Sequence, residues 1–144
     1  MSVNQISVFL ENRPGTLGQM TSVLAEGGVD MRALTLAETN DFGIVRIIVS
    51  DICLATTVLR DAGFVHSVTP VLGVAIPDET GGLNRVLNIL SQAEVNVEYM
   101  YAFLGGQKND QAYMIFRVHD NKKAAAALTA QAVRVVEQEE LAQL

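Results

Sequence analysis

Residues 12–31 read NRPGTLGQMTSVLAEGGVDM, and residues 78–97 repeat the same pattern as DETGGLNRVLNILSQAEVNV. Four positions keep the same residue type in both copies: Gly15 and Gly81, Leu17 and Leu83, Leu24 and Leu90, and Val29 and Val95. Repetition over this length indicates two copies of one structural unit. We therefore predict two domains, residues 1–69 and residues 70–144.

The offset between the copies grows by three residues before the next matching pair, Asp51 and Asp120. Three extra residues must therefore lie in the second copy, and the segment GGQKND at 105–110 is the place where they fit. Insertions are tolerated in loops, so we predict a longer loop there.

Each copy predicts the element order β-α-β-β-α-β. Alternating apolar residues over 6–10 predict a strand, and apolar residues at i, i+3, i+4 and i+7 over 17–24 predict a helix. Asp51 and Asp120 are placed to cap the second helix of each copy. The remaining predicted strands are 31–38, 42–50 and 64–68 in the first copy and 72–76, 97–104, 112–119 and 133–136 in the second, followed by a polar tail from 137. This order predicts two ferredoxin-like units of the α+β class, with the helices on one face of an antiparallel sheet.

Composition limits the classes of function. The chain has 144 residues, 49% of them hydrophobic, with 16 acidic against 10 basic residues and a net charge of −6. This composition excludes disorder and disfavours nucleic-acid binding, because a phosphate backbone requires basic side chains. The single cysteine, Cys53, allows no internal disulfide, and we expect it to be buried. Without a basic leader or a long apolar run, we predict a cytoplasmic protein that binds no membrane.

The second face of each predicted sheet is unusually apolar. Strict alternation along the strand 97–104 places Val97, Tyr99, Tyr101 and Phe103 on this face in the second copy, and Ile44 and Ile48 lie on it in the first. Apolar sheet faces pack against other sheets, so we predict a homodimer with sheets stacked face to face, paired into a larger assembly. Apolar residues scattered over an ordinary surface are the alternative.

The turn ENRPGTLG joins the first strand to the first helix. Pro14 and Gly15 suit the two central positions of a type II turn, the second of which needs positive φ. The helix then begins near Thr16, so the free amides of its first turn and its positive dipole end point into the bend. Such a bend can accept a small carboxylate. The second copy has DETGGL, in which we expect Thr80 to cap the helix, and an ordinary turn without a ligand is the alternative.

NRPGTL followed by GVDM within this frame resembles the ACT domain family, and DETGGL with EVNV resembles it again. The chain is thus similar to small stand-alone proteins made of two tandem ACT domains. The resemblance implies a ferredoxin-like fold, binding of a free amino acid at domain interfaces, and regulation of a metabolic enzyme in trans. It implies no catalytic activity and no cofactor.

The resemblance also implies the residues of the site. Its turn positions are Asn12, Gly15, Thr16 and Leu17 in the first copy, with Arg13 nearby, and Asp78, Gly81, Gly82 and Leu83 in the second. Its positions at the start of the second strand are Asp30 and Met31, and Asn96 and Val97.

Asparagine and aspartate exchange places between the copies. If the repeats lie side by side, one pocket joins Asn12 to Asn96 and the other joins Asp78 to Asp30. Two amides can serve both ends of a zwitterion, whereas two acids repel a carboxylate, so we predict that the pocket of Asn12 and Asn96 is the better amino-acid site. The alternative is that the four residues only cap turns and strand ends.

Other chemistries find little support in the sequence. His66 and His119 stand at non-corresponding positions, without convergent metal ligands. No Ser, Cys or Lys forms a recognisable nucleophile motif, so we predict no catalytic residues. The strand aromatics could suggest RNA binding, but the acidic balance argues against it. We therefore predict an amino-acid sensor, and the alternative is a protein interaction or scaffold module of the same fold that binds no ligand.

Overall fold

The computed structural model describes residues 2–104 and 110–144 and divides into two compact units. The N-terminal unit comprises Asn4–Thr69, and the C-terminal unit comprises Pro70–Leu144 together with Ser2 and Val3. The residues of the predicted insertion at 105–109 lie outside the described part of the chain.

The N-terminal unit has the predicted element order. Its elements are β1 (Val3–Glu11), α1 (Thr16–Glu26), β2 (Met31–Glu38), β3 (Phe42–Val49), α2 (Ile52–Asp61) and the start of β4 (His66–Pro77). Strand β3 lies between β2 and β1 and pairs antiparallel with both. On the other side of β1, the amide of Phe9 donates to the carbonyl of Val65 at 2.9 Å.

The C-terminal unit repeats this arrangement. After β4 come α3 (Gly82–Gln92), β5 (Val97–Ala102), β6 (Gln111–Val118), α4 (Asn121–Ala130), β7 (Arg134–Val136) and α5 (Gln138–Gln143). Strand β4 pairs antiparallel with β6 and with β7, and β5 pairs with β6. Both units are therefore ferredoxin-like, as the sequence predicts. The C-terminal tail, which was predicted to be polar, forms α5, and Leu141 of this helix is completely buried.

Each unit has a core that its helices cover. In the N-terminal unit, Met20 and Leu24 of α1 and Leu59 of α2 pack on the inward face of β1 and β3. In the C-terminal unit, Val86, Leu90 and Leu128 pack in the same way on Leu72 and Phe116. The helical spacing in the sequence therefore marks the buried faces correctly.

In each unit a side chain caps the second helix but not the first. Asp51 Oδ1 accepts the Leu54 amide at 3.0 Å, and Asp120 Oδ1 accepts the Lys123 amide at 3.1 Å, so α2 and α4 are capped as predicted. The expected cap at Thr80 is wrong: the N-cap of α3 is Gly81, with φ of 86°. The tight turn puts a glycine at this position because it requires a left-handed backbone.

Three expectations about surfaces are wrong. A bulge between Val97 and Tyr99 turns Val97 toward the helix-covered core, so the strict alternation predicted for β5 fails. Tyr101 and Ile48, predicted to form an apolar face open to a second copy, are already buried within the single chain. Cys53 is exposed rather than buried, because it lies on the outward side of α2.

No helix in the described part of the chain is long and apolar enough to span a membrane.

Candidate ligand site at the strand-to-helix turns

The turn between β1 and α1 has the predicted shape. Gly15 has φ of 88° and ψ of −13°, and the Thr16 amide lies 3.5 Å from the Arg13 carbonyl. These values match the third position of a type II turn, which only glycine occupies without strain. A Cβ built on Gly15 meets nothing within 4 Å, so the space in front of the turn is open.

Helix α1 begins without a side-chain cap. The first α-helical hydrogen bond runs from the Gln19 amide to the Gly15 carbonyl at 2.9 Å, so the amides of Leu17 and Gly18 lie before the first amide that has an intrahelical acceptor. The Thr16 hydroxyl makes no cap hydrogen bond to them and donates to the Glu11 carbonyl at 2.8 Å. The positive end of α1 is therefore available to an anion.

The turn between β4 and α3 has the same backbone with different side chains. Gly81 has φ of 86°, and the Arg85 amide donates to the Gly81 carbonyl at 3.0 Å. Gly82 stands where the first copy has Thr16, and a Cβ on it would lie 2.4 Å from the Pro77 carbonyl oxygen. The C-terminal unit thus closes its turn by direct backbone approach, where the N-terminal unit uses a threonine hydroxyl.

Asn12 and Asp78 occupy matching positions with different roles. The Asn12 Nδ2 group donates to the Thr39 carbonyl at 2.9 Å, and thereby ties the turn to the β2–β3 connection. The Glu38 carboxylate lies on the same amide group at 3.4 Å. At Asp78 the backbone amide donates to the Asp110 carbonyl at 2.7 Å. The Asp78 side chain cannot replace the hydrogen bond that Asn12 Nδ2 donates, because a carboxylate has no N–H group. Asn12 therefore positions its turn.

The charge beside the turn is reversed between the units. Arg13 pairs with Glu11 at 2.6 Å, and their side chains are 64% and 69% exposed. Such an exposed pair contributes about 0–1 kcal/mol, so an incoming anion can compete for the guanidinium group. Glu79 stands at the matching position of the C-terminal unit, beside Asp78.

A recess of about 110 Å³ lies beside the N-terminal turn. Its apolar lining consists of Leu10, Leu17, Leu36 and Gly43, and its polar lining consists of Glu11, Asn12, Arg13, Thr16 and Glu38. Four of these residues are sequence-predicted site residues. Five lining residues were not predicted: Leu10 and Glu11 at the end of β1, and Leu36, Glu38 and Gly43, which the pairing of β1 and β2 with β3 brings to the turn. A shallower groove of about 310 Å³ shares Glu11, Arg13 and Thr16 and extends to the α2–β4 connection.

The predicted positions at the start of the second strand do not line this recess. The Asp30 carboxylate lies 3.4 Å from the Arg32 guanidinium group, and the backbone amide of Asn96 donates to His119 Nδ1 at 3.3 Å. The side chains of Met31 and Val97 pack against the cores of their own units. The pairing of Asn12 with Asn96, and of Asp78 with Asp30, stays a prediction.

Two further features bear on the choice of site. Within residues 2–104 and 110–144, no three His, Cys, Asp or Glu side chains converge as metal ligands. A larger cavity of about 540 Å³ runs beside α4 in the C-terminal unit. Its described lining is mostly apolar and has Lys122 but no carboxylate, so it offers no counter-charge to an ammonium group.

Comparisons with known proteins agree with the fold. The crystal structure of protein BT0572 from Bacteroides thetaiotaomicron superposes with a TM-score of 0.92 and 38% sequence identity, over 100% of this chain and 98% of that one. The regulatory subunits of aspartate kinase from Thermus thermophilus, in its ligand-free form, and from Thermus flavus superpose with TM-scores of 0.63 and 0.62. Both are 15% identical, with 90% and 88% of each chain covered, and therefore share the fold.

No curated protein matches the chain. The family model described as an ACT domain pair matches residues 1–144. With that match over its whole length, the chain belongs to the ACT domain pair family.

Proposed function

We propose that this protein is a non-catalytic sensor that binds a free amino acid at the turn of its N-terminal unit. The observation that carries the proposal is the combination at this turn of an uncapped helix start, an open glycine and a recess with charges of both signs. An amino-acid zwitterion needs an anion receptor and a cation receptor a few ångströms apart.

The α-carboxylate is assigned to the start of α1. There it accepts hydrogen bonds from the Leu17 and Gly18 amides and is favoured by the helix dipole. The Arg13 guanidinium group adds a positive charge at the rim of the recess. The α-ammonium group is assigned to the Glu38 carboxylate, which also lines the recess.

The C-terminal turn is a poorer receptor for the same ligand. Its amides are arranged alike, but Asp78 and Glu79 replace Asn12 and Arg13 and repel a carboxylate. We therefore propose one amino-acid site per chain.

A regulatory role in trans is the second part of the proposal. It is supported by the fold shared with proteins named regulatory subunits of aspartate kinase. We propose that the protein is cytoplasmic and acts as a homodimer. The homodimer is supported by Phe9 and Phe42, which remain 45% and 61% exposed near the end of the N-terminal sheet.

Thermal melting with each amino acid at millimolar concentration tests ligand binding. A ligand at one hundred times its Kd adds about 2.7 kcal/mol to the free energy of unfolding, which raises Tm by several degrees. Gly15→Ala and Gly81→Ala are matched variants, since both glycines have nearly the same φ and open space around a Cβ. Both should lower Tm equally, but only Gly15→Ala should abolish the ligand-induced rise. The proposal is overturned if no amino acid raises Tm, which would favour a scaffold role.

A further inference from the structure

The recess beside the N-terminal turn also constrains the side chain of the ligand. We infer that the ligand is an amino acid with a branched aliphatic side chain of three or four carbons, which fills the recess formed by Leu10, Leu17, Leu36 and Gly43. This inference rests on the proposed function and adds the chemical class of the ligand.

The lining has the polarity that an aliphatic side chain requires. Leu10 is buried in the core and Leu17 packs partly against it, so the floor of the recess is a continuation of the core. Leu36 is 51% exposed and forms a wall. Of the polar groups in the lining, Arg13 and Glu38 are assigned to the ligand's backbone, Glu11 pairs with Arg13, and Asn12 and Thr16 donate to backbone carbonyls. A polar ligand side chain would therefore lose water and gain few partners.

The volume sets the size of the side chain. The recess of about 110 Å³ is several times larger than the ~10–15 Å³ of probe space that one water, a group of about the size of a methyl, requires. Benzene occupies a cavity of about 150 Å³, so an aromatic side chain is too large for this recess. A single methyl group would leave most of it empty.

Gly43 indicates that this space is kept open. It lies inside β3, where glycine weakens a strand and often marks the close approach of a ligand. The φ of Gly43 is not positive, so the backbone conformation does not explain why a glycine stands there. A Cβ on Gly43 would lie 3.2 Å from Leu36 Cδ1 and would narrow the recess between them.

Isothermal titration with glycine, alanine, valine, leucine, isoleucine, phenylalanine and aspartate tests the inference. One methylene in an apolar pocket changes affinity by roughly 10-fold or more, so leucine, isoleucine or valine should bind at least that much more tightly than alanine. Phenylalanine and aspartate should bind more weakly than the best aliphatic ligand by a similar factor.

Two variants test the recess itself. Leu36→Ala removes the exposed wall and should lower the affinity for the best aliphatic ligand about 10-fold while improving phenylalanine relative to it. Gly43→Ala should lower the affinity for leucine more than that for alanine. The variant should still fold, because the half-exposed Leu36 side chain can move to accommodate the methyl group. Leu104→Ala is the control, because Leu104 is similarly exposed, at 55%, and lies in the C-terminal unit.

The outcomes separate the two proposals. Tightest binding of an aspartate or aromatic ligand, or an unchanged preference in Leu36→Ala, would overturn this inference while the sensor function stands. Binding of none of the seven amino acids, together with no rise in Tm across all the amino acids, would overturn both.

Discussion

Thr16 and Gly82 occupy the same position in the two units and close the same turn by different means. The Thr16 hydroxyl donates to the Glu11 carbonyl at 2.8 Å, whereas Gly82 lets helix α3 approach the Pro77 carbonyl so closely that no Cβ fits. The obstacle is a backbone atom, which cannot rotate away as a side chain can.

Exchanging these residues should therefore have unequal effects. Gly82→Thr forces the backbone apart and should lower the free energy of unfolding by about 1–3 kcal/mol or more. Thr16→Gly loses hydroxyl hydrogen bonds worth about 0.5–1.5 kcal/mol, with a smaller contribution from the flexibility of glycine. Urea unfolding of both variants measures the difference. A smaller loss for Gly82→Thr than for Thr16→Gly would contradict the close approach.

At the scale of single residues, the sequence predicts the turn but not its partners. The positive φ of Gly15 and Gly81 follows from the local pattern, because the turn type demands it. The contact of Asn12 with Thr39 depends on how β1 lies against the β2–β3 connection, which no local pattern encodes. The sequence therefore offers turn capping by Asn12 only as an alternative and does not identify Thr39 as its partner.

At the scale of secondary-structure elements, the two copies differ in the residues that follow their helices. Helices α1 and α2 are followed by Gly28 and Gly63, with φ of 77° and 82°. The matching residues after α3 and α4 are Glu94 and Ala132, with φ of 57° and 59°. The left-handed conformation costs a residue with a Cβ roughly 1–2 kcal/mol, which glycine avoids.

Glu94→Gly and Ala132→Gly should therefore stabilise the protein. We expect a gain of about 0.5–1 kcal/mol each, since the greater flexibility of glycine in the unfolded chain offsets part of the relieved strain. Thermal or urea unfolding measures the gain. The reverse changes, Gly28→Glu and Gly63→Ala, are the controls and should destabilise. A loss of stability in both glycine variants would contradict this account.

Element order and helix faces were predictable because periodicity is local, whereas strand faces were only partly so. The bulges at the starts of β2 and β5 break the alternation, so Val97 joins the helix-covered core against expectation. A bulge is defined by the partner strand, and one sequence does not reveal it. The burial of Tyr101 and Ile48 is likewise a tertiary outcome.

At the scale of the whole molecule, the apolar surface left for a partner is smaller than the sequence suggests. Phe9, Ile44 and Ala37 lie in one row across β1, β3 and β2, with Phe42 beside them, and they line a shallow cavity of about 280 Å³. Phe9 and Phe42 are the large exposed side chains of this patch.

If this patch forms the proposed homodimer, Phe42→Glu should convert the dimer to a monomer. A buried charge without a partner is costly in an interface. Sedimentation velocity measures the change, and Leu54→Glu serves as the control because Leu54 is 38% exposed and lies on α2, outside the patch. A dimer that survives Phe42→Glu, or a wild-type monomer, would contradict the assignment.

The central claim for the whole molecule is that two nearly identical turns provide one amino-acid site. The backbones of the turns agree, and the difference lies in Arg13 and Asn12 against Glu79 and Asp78. Under the proposed function, duplication preserves the fold and the charge at the turn decides which copy binds.

The stoichiometry of binding tests this claim most directly. Isothermal titration calorimetry with the best amino acid should give one ligand per chain for the wild-type protein and for Gly81→Ala, and no measurable binding for Gly15→Ala. Two ligands per chain, or loss of binding in Gly81→Ala with binding kept in Gly15→Ala, would contradict the account.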